Sequence, residues 1–483
     1  MLEAPRPHGV DPALLRAWGG HVAWMCAAVG WIDTSLTVRT HAAGSSLAFT
    51  APPAALLSAT SLNEWALERA AAECGGAYDP ASLEDERLPQ EQTAALARLR
   101  ELLAAERASP PPDGTPLPLR DIPIALVTGS NGKTTTTRLL AAMLRAHGHR
   151  VGFTCTDGVF IAGEAVERGD WSGPGGARRV LEDSRVTAAV LETARGGLLR
   201  RGLVVPRADV AVITNVAADH FGEYGIDSLA DIAAAKGVVA RALSTRGTLV
   251  LSAEDPTLVA HPPRTDAQLR WFGSGANTSG LLPPAQEMPI AMAGLAAYNI
   301  ANAEAAACAA RALGVPDPLI TQTLRTFGRD NADNPGRLER FDHQGRRIWL
   351  DYAHNPHGLG ALLALAAAAR GSGRLGLILG QAGDRPDESL RALARAAWDV
   401  TPDCVVLQEM THYLRGRAPG EVPAVLRDEL LRRGARADQV VLTTSEAEAV
   451  DALLAWSAPG DLLVMPVHAL EERDRLRARL QSV

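Results

Sequence analysis

The sequence contains almost no lysine. Of its 483 residues 48 are basic, and only Lys133 and Lys236 are lysine, so the other 46 are arginine. A bias in base composition accounts for the shortage, but it does not account for the two lysines that remain. A lysine amine is a compact charge that can lose its proton, whereas a guanidinium stays charged. Both lysines are therefore candidate functional residues.

Long apolar runs and paired cysteines are also missing. No apolar run approaches the length of about 18 residues that a membrane span needs, and the N-terminal MLEAPRPHGVDP lacks a basic-then-apolar export signal. The five cysteines are scattered without a CxxC pair, which argues against a disulfide framework or a structural zinc site. A net charge of −7 argues against a broad basic surface. These absences predict a cytoplasmic protein that binds neither membranes nor nucleic acids.

A proline-rich stretch separates an N-terminal part from the rest of the chain. The segment ASPPPDGTPLPLRDIP occupies 108–123, and its prolines cannot lie inside a helix or a central strand. We expect residues 1–107 to form a small α+β domain and residues 108–121 to form a linker. Acceptor docking, dimerisation and plain stabilisation are all open as roles of the N-terminal domain.

Beyond the linker, short apolar runs alternate with helical segments, which is typical of βαβ units in a parallel sheet. Two such patterns occur, and RDNADNPGR at 329–337 separates them. The fold class is therefore α/β. We expect a P-loop-containing central domain with a mostly parallel sheet at 122–333, with a looser section at 261–289. The second pattern predicts a Rossmann-like domain with four or five strands at 334–483.

A glycine-bearing loop joins the first of these strands to a helix. TGSNGKT (128–134) lies between the strand IPIALVT and a helix predicted at about 133–147. At such a junction, backbone N–H groups and the positive end of the helix face an anion. Lys133 would reach nucleotide phosphates, and the Thr134 hydroxyl would bind Mg²⁺. The usual motif has glycine where Val127 stands, so this is a shortened variant. The alternative is a glycine turn that carries GKT by chance.

Three further residues are candidates for holding a metal. Glu192 ends the strand AAVLET, and His220 closes the group NVAADH after the strand VAVITNV. Because carboxyl ends of parallel strands meet at one edge of a sheet, both would lie near the phosphate loop, where they would coordinate Mg²⁺. A capping or core histidine is the alternative for His220. Lys236 lies on a predicted helix; it is a surface lysine or, if buried, an amine able to react with CO₂.

Together these residues resemble the Mur ligase superfamily, the ATP-dependent amide-forming enzymes that include folylpolyglutamate synthase. The shared motifs are TGSNGKT, Glu192, NVAADH, Lys236 in AAAK, YNIANAEAA (298–306) and DYAHNP (351–356). Further motifs resemble the C-terminal half of the cyanophycin synthetases, and the whole resemblance covers about 122–470. These motifs are TDGVFIAG (156–163), GDWSGPGGAR (169–178), LETARGGLLRRGL (191–203), PGRLE (335–339), GDRPDE (383–388) and YLRGRAPGE (413–421).

The resemblance implies a role for each matching residue. Lys133, Glu192, His220, Lys236 and Arg337 would be catalytic, and Mg²⁺ would be held by Thr134, Glu192, His220 and Lys236. Lys236 looks like the lysine that many relatives carbamylate. Arg337 would reach the γ-phosphate, Asp351 the ribose and Asn299 the adenine side. The ATP-binding set would be Thr128, Gly129, Asn131, Gly132, Lys133, Thr134, Thr135, Asn299, Arg337 and Asp351. The substrate set would be His354, Asn355, Asp384 and Arg385.

The activity implied by the resemblance is an ADP-forming ligation of a carboxylate to the amine of an amino acid. ATP would convert the carboxylate to an acyl phosphate, and an isopeptide bond to an aspartate-type side chain of a peptide-like acceptor is favoured. About 105 residues precede the linker, too few for the ATP-grasp module of the cyanophycin synthetases, so backbone extension would need a separate ATP-grasp partner. A homo-oligomer is open. The alternatives are a nucleotide-controlled binding module and a non-catalytic scaffold partner of an ATP-grasp ligase.

Overall fold

The structure is a computed structural model. The residues described are 2–5, 12–28, 37–41, 44–48, 62, 66, 70, 97, 99, 120–218, 221, 226–273 and 282–481. The N-terminal elements are β1 (Leu2–Pro5), α1 (Pro12–Ala28), β2 (Thr37–His41) and β3 (Gly44–Ala48). The strands pair antiparallel in the order β1-β3-β2. Most of the predicted N-terminal domain and linker lie outside the described residues.

An eight-stranded sheet organises residues 120–333, which we call the central region. In space its strands follow the order β11-β10-β9-β4-β8-β5-β6-β7. The pairs β5–β6 and β6–β7 are antiparallel and the others parallel, which confirms the mostly parallel sheet. The strands are β4 (Ile124–Thr128), β5 (Val151–Cys155), β6 (Gly158–Ile161), β7 (Glu164–Arg168), β8 (Ala188–Glu192), β9 (Ala208–Ile213), β10 (Leu243–Ser252) and β11 (Gln268–Phe272).

Helices cover both faces of this sheet. They are α2 (Lys133–Ala146), α3 (Pro174–Leu181), α4 (Arg195–Arg201), α5 (Leu229–Gly237), α6 (Pro256–Ala260), α7 (Ala297–Ala312) and α8 (Asp317–Leu324). The predicted apolar face of α2, Leu139, Leu140, Met143 and Leu144, is fully buried against α7 and α8. The opposite face of the sheet packs against α3 and α5. The predicted phosphate loop therefore leads into a helix whose apolar face is buried in the core.

A six-stranded sheet organises residues 339–481, which we call the C-terminal region. Its order is β12-β13-β17-β14-β15-β16, with only β12–β13 antiparallel. Its strands are β12 (Glu339–His343), β13 (Arg346–Asp351), β14 (Leu375–Leu379), β15 (Cys404–Gln408), β16 (Val440–Thr443) and β17 (Leu462–Pro466). The helices are α9 (Pro356–Ala369), α10 (Asp387–Trp398), α11 (Glu421–Arg432), α12 (Glu446–Trp456) and α13 (Leu470–Gln481).

The C-terminal sheet is Rossmann-like, with helices on both faces. It has six strands, so the expectation of four or five was wrong, because β12 is half-exposed and carries no apolar run. The looser section expected at 261–289 was also wrong in part, since it contains β11, whose first three residues are exposed. The sequence likewise did not predict the β6–β7 hairpin, whose outer strand β7 has no buried residue.

The two regions meet at the carboxyl ends of their parallel strands. Residues 334–338 join them, and we call these residues the connecting segment. A cavity of about 1490 Å³ lies between the regions and is lined by residues that follow β4, β8, β9 and β10 on one side and β13, β14 and β15 on the other. This is the edge at which α/β sheets bind ligands. None of the helices described is long and apolar enough to cross a membrane.

Candidate active site

The loop between β4 and α2 has the geometry of an anion cradle. Gly129 has a φ of 150° and Gly132 a φ of 84°, a conformation that favours glycine. A Cβ atom at Gly129 would lie 1.8 Å from Thr214 Oγ1, and one at Gly132 would lie 2.1 Å from Asn302 Oδ1. No side chain caps the N-terminus of α2. The loop therefore requires glycine at both positions and presents the positive end of α2 to the cavity.

Residues that follow β9 hold the loop in shape. The Asn131 N–H donates to Asn215 Oδ1 at 2.9 Å, and Asn215 Nδ2 donates to the Asn131 carbonyl at 3.1 Å. Thr214 Oγ1 donates to the same carbonyl at 2.6 Å. Lys133 Nζ folds back and donates to the carbonyls of Gly129 and Ser130, both at 3.1 Å. The loop is thus preorganised by its own strand neighbours.

A hydroxyl and a buried carboxylate meet beside this loop. Thr134 Oγ1 donates to Glu192 Oε2 at 2.7 Å and lies 3.0 Å from Thr156 Oγ1. Burial raises the pKa of Glu192, while the charge of Lys133 and the hydrogen bond from Thr134 act in the opposite direction. A desolvated carboxylate gains from a nearby cation, and hydroxyl and carboxylate oxygens are ligands that Mg²⁺ prefers. This pair therefore fits a magnesium ion.

Of the other two predicted metal ligands, the structure describes Lys236 but not His220. Lys236 is buried near the end of α5 and lines the same cavity. A capping box between Ser228 and Asp231 fixes the first turn of that helix. His220 lies outside the described residues. Within the described part of the chain, no group of three or more His, Cys, Asp or Glu side chains could hold a metal ion.

Arg337 reaches the Thr134–Glu192 pair from the connecting segment. Its Nη2 lies 3.3 Å from Thr134 Oγ1 and 3.4 Å from Thr156 Oγ1. Its guanidinium carbon lies 4.5 Å from the centroid of the Tyr352 ring. Burial acts to lower the pKa of Arg337, but the neighbouring carboxylates, first among them Asp157, outweigh it and raise that pKa. The side chain is therefore a fixed positive charge on the cavity wall, beside Thr134.

Both carboxylate oxygens of Asp351 hold backbone groups. Oδ2 accepts from the Leu338 N–H at 2.8 Å, and Oδ1 accepts from the Ala353 N–H at 2.7 Å. Leu338 has a φ of 53°, a conformation that is strained for a branched side chain. Burial raises the pKa of Asp351, and Arg337 counteracts this. Asp351 lines the cavity, and in addition it fixes the turn that carries Arg337.

The remaining predicted nucleotide residues lie around the loop, and each makes a hydrogen bond within the protein. Asn299 Nδ2 donates to the Ile290 carbonyl at 3.0 Å, and Asn299 lines the cavity at the start of α7. Thr135 Oγ1 accepts from Asn334 Nδ2 at 3.2 Å. Thr128 is fully buried in β4, where its carbonyl accepts from the Thr214 N–H at 2.9 Å. Thr128 therefore acts through the backbone of the loop.

The DYAHNP motif contacts the phosphate loop directly. Asn355 Nδ2 donates to Asn131 Oδ1 at 2.9 Å, and Asn355 Oδ1 accepts from the Gly358 N–H at 2.8 Å as the N-cap of α9. His354 lines the cavity, with Nδ1 3.1 Å from the Tyr352 carbonyl. The structure therefore makes Asn355 a bridge between the two regions and leaves His354 on the cavity wall.

The motifs GDRPDE and YLRGRAPGE form one wall of the cavity. Arg417 Nη2 donates to the Arg385 carbonyl at 2.7 Å and to Asp387 Oδ1 at 2.8 Å. Arg415 pairs with Asp384. Asp384 and Arg385 both line the cavity, and Arg385 is buried. A second wall comes from GDWSGPGG and ETARGG, in which the Ala194 N–H donates to the Ser172 carbonyl at 2.8 Å.

Sequence reasoning missed a buried charge cluster behind the site. Arg138 on α2, Arg473 on α13 and Arg337 surround Asp157, which follows β5. Burial opposes ionisation of Asp157, but the three arginines prevail and lower its pKa to about 2. The motif TDGVFIAG already contained Asp157, so its position after a strand was an available signal. Arg473 belongs to an arginine-rich polar helix without any motif, and nothing in the sequence marked it.

The fold and site define a two-part class of nucleotide-binding α/β proteins, in which a second Rossmann-like region completes a P-loop site. Two family models match the chain: the Mur ligase middle domain over residues 127–310, and the Mur ligase glutamate ligase domain over residues 336–466. Together they cover more than half of it. The chain belongs to the Mur ligase family, which confirms the resemblance inferred from the motifs.

Among curated proteins, the chain is similar to the cyanophycin synthetase of Crocosphaera subtropica. The two are 36% identical over 372 residues, which is 71% of this chain and 42% of that protein. The UDP-N-acetylmuramoyl-L-alanyl-D-glutamate--2,6-diaminopimelate ligase of Corynebacterium efficiens is 29% identical over 406 residues, 75% of each protein. The chain thus spans about two fifths of the length of the cyanophycin synthetases that it matches.

Two solved structures share the fold at low sequence identity. E. coli FolC in complex with DHPP and ADP has a TM-score of 0.55 at 21% identity, over 74% of this chain and 89% of that one. Mycobacterium tuberculosis folylpolyglutamate synthase complexed with ADP has a TM-score of 0.57 at 20% identity, over 75% of this chain and 91% of that one. These likenesses confirm the fold class.

Proposed function

We propose that this chain is an ADP-forming ligase that joins a carboxylate to the amine of an amino acid. One observation carries the proposal. Lys133, Thr134, Glu192 and Arg337 converge at one end of the cavity, and two walls built from the remaining cyanophycin-synthetase-like motifs line the same cavity. A phosphate site that opens into a substrate-sized space is what transfer of a phosphoryl group to a second substrate requires.

The chemistry follows from the poor reactivity of a free carboxylate. A carboxylate oxygen would take the γ-phosphoryl group and release ADP, which leaves an acyl phosphate. The amine nitrogen would then attack the carbonyl carbon, the C–O bond to phosphate would break, and the amine would lose a proton. Little of this needs covalent help from side chains, so positioning and charge stabilisation would provide most of the rate.

The residues of this chain divide those tasks. The loop backbone and Lys133 would bind the triphosphate, and Arg337 would stabilise charge on the transferring phosphoryl group. Thr134 and Glu192, with His220 and a carbamylated Lys236, would hold Mg²⁺, which when bound supplies positive charge to the phosphate oxygens. Asp351 and Asn299 would contact the nucleoside. The contact between the two regions would exclude water from the acyl phosphate.

The finer proposal concerns the substrates. The identity to cyanophycin synthetases and the wall formed by GDRPDE and YLRGRAPGE support an isopeptide bond to an aspartate-type side chain of a peptide-like acceptor. His354, Asn355, Asp384 and Arg385 would contact the substrates on the C-terminal side. A separate ATP-grasp ligase that supplies the acceptor backbone stays a prediction, as does a homo-oligomer.

A matrix of acids and amines tests the proposal. The purified chain is incubated with ATP and Mg²⁺, and ADP release is followed for each combination of carboxylate acceptor and amino acid, with the joined product identified by mass spectrometry. We expect ADP release that requires both partners and disappears in Lys133→Ala. Hydrolysis that ignores the amine would instead identify a nucleotide-controlled binding module, and no nucleotide binding would identify a scaffold.

A further inference from the structure

A cluster of buried charges ties together four separate parts of the chain. Asp157 lies in the turn between β5 and β6, where Oδ2 accepts from Arg138 Nη2 at 2.9 Å and Oδ1 accepts from Arg473 Nη2 at 2.8 Å. Arg337 Nη2 lies 3.9 Å from Oδ2. Arg138, Asp157 and Arg473 are exposed by only 5%, 8% and 2%. Arg337 lines the cavity, whereas the other three side chains of the cluster are buried next to it.

The connecting segment is held between two of these arginines. Arg138 Nη1 donates to the Pro335 carbonyl at 3.0 Å. Arg473 packs so closely on Gly336 that a Cβ atom there would lie 2.1 Å from Arg473 Nη1. The guanidinium carbon of Arg473 lies 5.1 Å from the centroid of the Tyr352 ring, which Arg337 also contacts. The backbone on the N-terminal side of Arg337 is thus fixed from both regions.

Burial makes this arrangement conditional on the contact between the regions. Two of the arginines come from outside the central region, so separation of the regions would leave Asp157 with Arg138 alone and would leave Arg473 without its carboxylate. Within the joined state the buried Asp157 carboxylate is compensated only while its arginines are in place, and the loss of one partner there is strongly unfavourable. Among the ways in which the two regions could join, the cluster therefore favours the one that places Arg337 beside Thr134.

We propose that Asp157 and Arg473 are positioning residues that latch the C-terminal region onto the central region and thereby place Arg337 beside Thr134. Neither side chain needs to touch nucleotide or substrate. The part of this role that concerns Arg337 rests on the proposed function, whereas the latch itself concerns only the contact between the two regions.

A matched ion pair on the surface provides the control. Arg168 at the end of β7 pairs with Asp474 on α13 at 2.7 Å. Arg168 lies opposite Gly158, next to the turn that carries Asp157, and so joins the same edge of the sheet to the same helix. This pair is exposed, with 68% and 33% of the two side chains accessible, and exposed ion pairs contribute little. The test variants are Arg473→Met, Arg473→Lys and Asp157→Asn, and the control variant is Arg168→Gln.

Three measurements separate a positioning role from a structural one. ADP affinity is measured by calorimetry, the radius of gyration with and without ADP by small-angle scattering, and kcat and KM by ADP release during ligation. For Arg473→Met and Asp157→Asn we expect unchanged ADP affinity, a larger radius of gyration and a kcat lowered about 10- to 100-fold. Arg473→Lys keeps the positive charge but loses the planar set of N–H donors of the guanidinium, so we expect an intermediate loss of kcat and an intermediate radius of gyration. Arg168→Gln behaves as the wild type.

The opposite outcomes are equally clear. Wild-type radius and kcat in Arg473→Met and Asp157→Asn would overturn the latch, and so would equal losses in Arg168→Gln. If Arg473→Met does not fold, Arg473→Lys and Asp157→Asn decide by the same criteria. A wild-type protein that binds ADP and closes but joins no acid to any amine would contradict the proposed function and leave the latch to be judged on the scattering data alone.

Discussion

At the residue scale, Lys133 is the position where we most expect that a guanidinium cannot replace an amine. Its Nζ fits between the carbonyls of Gly129 and Ser130 inside a loop that Asn215 already fixes. A guanidinium is broader, planar and unable to occupy the space of a compact ammonium. The scarcity of lysine in the sequence was thus informative, because it singled out a residue that the fold places in the phosphate loop.

Lys133→Arg should therefore lower kcat for ADP release about 100-fold, because the charge is kept but its placement against the phosphates is lost. Arg246→Lys, at an exposed position, is the control for exchange between the two basic residues and should leave kcat unchanged. Steady-state ADP release checks both variants. Wild-type kcat in Lys133→Arg would show that the amine has no special role.

A comparison of Gly132 with Gly148 separates the cost of backbone strain at positive φ from the cost of a steric clash with an added Cβ atom. Both have positive φ, 84° and 97°, but a Cβ atom would meet Asn302 only at Gly132 and nothing within 4 Å at Gly148. Gly148→Ala should cost about 1 kcal/mol of unfolding free energy from backbone strain alone. Gly132→Ala should cost more and should also abolish ADP binding. Urea unfolding and ADP titration of both variants test this, and equal behaviour would contradict the steric argument.

At the element scale, the sequence predicted the elements whose residues are uniformly buried. Strands such as β4, β8, β14, β15 and β17 are buried throughout and apolar over at least their first four residues, so their runs are visible in the sequence. The strands β7, β11 and β12 are mostly exposed or mixed in burial, and their sequences show no such run. The helix α13 was missed because its buried positions include Arg473 beside Leu476 and Leu480, so its inward face is only partly apolar.

The N-cap residue of α9 also contacts the predicted phosphate loop, and the N-cap residue of α12 serves as its comparison. Asn355 caps α9 and contacts Asn131 in the phosphate loop, whereas Ser445 caps α12 by accepting from the Glu448 N–H at 3.2 Å. Asn355→Ala and Ser445→Ala should each cost about 1 kcal/mol of unfolding free energy. Only Asn355→Ala should also raise KM for ATP. A parallel rise in Ser445→Ala would show that helix stability, and not the bridge, controls the nucleotide site.

At the scale of the whole molecule, the site exists only where two sheets meet. The predicted phosphate loop and most of the motifs could be found in the sequence because each lies within a single strand–loop–helix unit. The sequence did not reveal that Arg138, Asp157 and Arg473 share one cluster, since residues 157 and 473 belong to different regions and approach each other only where those regions meet. Long-range ion pairs leave no periodic trace in a sequence, so the cluster is visible only in the folded chain.

The charge cluster should give the protein a distinct acid response. Although burial opposes ionisation of Asp157, the surrounding arginines hold its pKa at about 2, below its ordinary value of 3.8. A lowered pKa means that the stabilisation is present above about pH 4 and is lost as the pH falls towards 2, a contribution of about 2 kcal/mol. Unfolding free energies measured between pH 5 and pH 2 should fall less steeply in Asp157→Asn. Identical slopes would contradict this assignment.

The position of Arg337 in the connecting segment bears on the rate of turnover. Residues 335–337 belong to the covalent connection between the two regions, and they also carry the guanidinium that lies beside Thr134. If the chain is the ligase that we propose, a movement that parts the two regions to release products would also withdraw that guanidinium, because the connection itself carries it. Each turnover would then include breaking and re-forming the buried ion pair between Asp157 and Arg473. The next phosphoryl transfer could begin only after Arg337 had returned to its position beside Thr134.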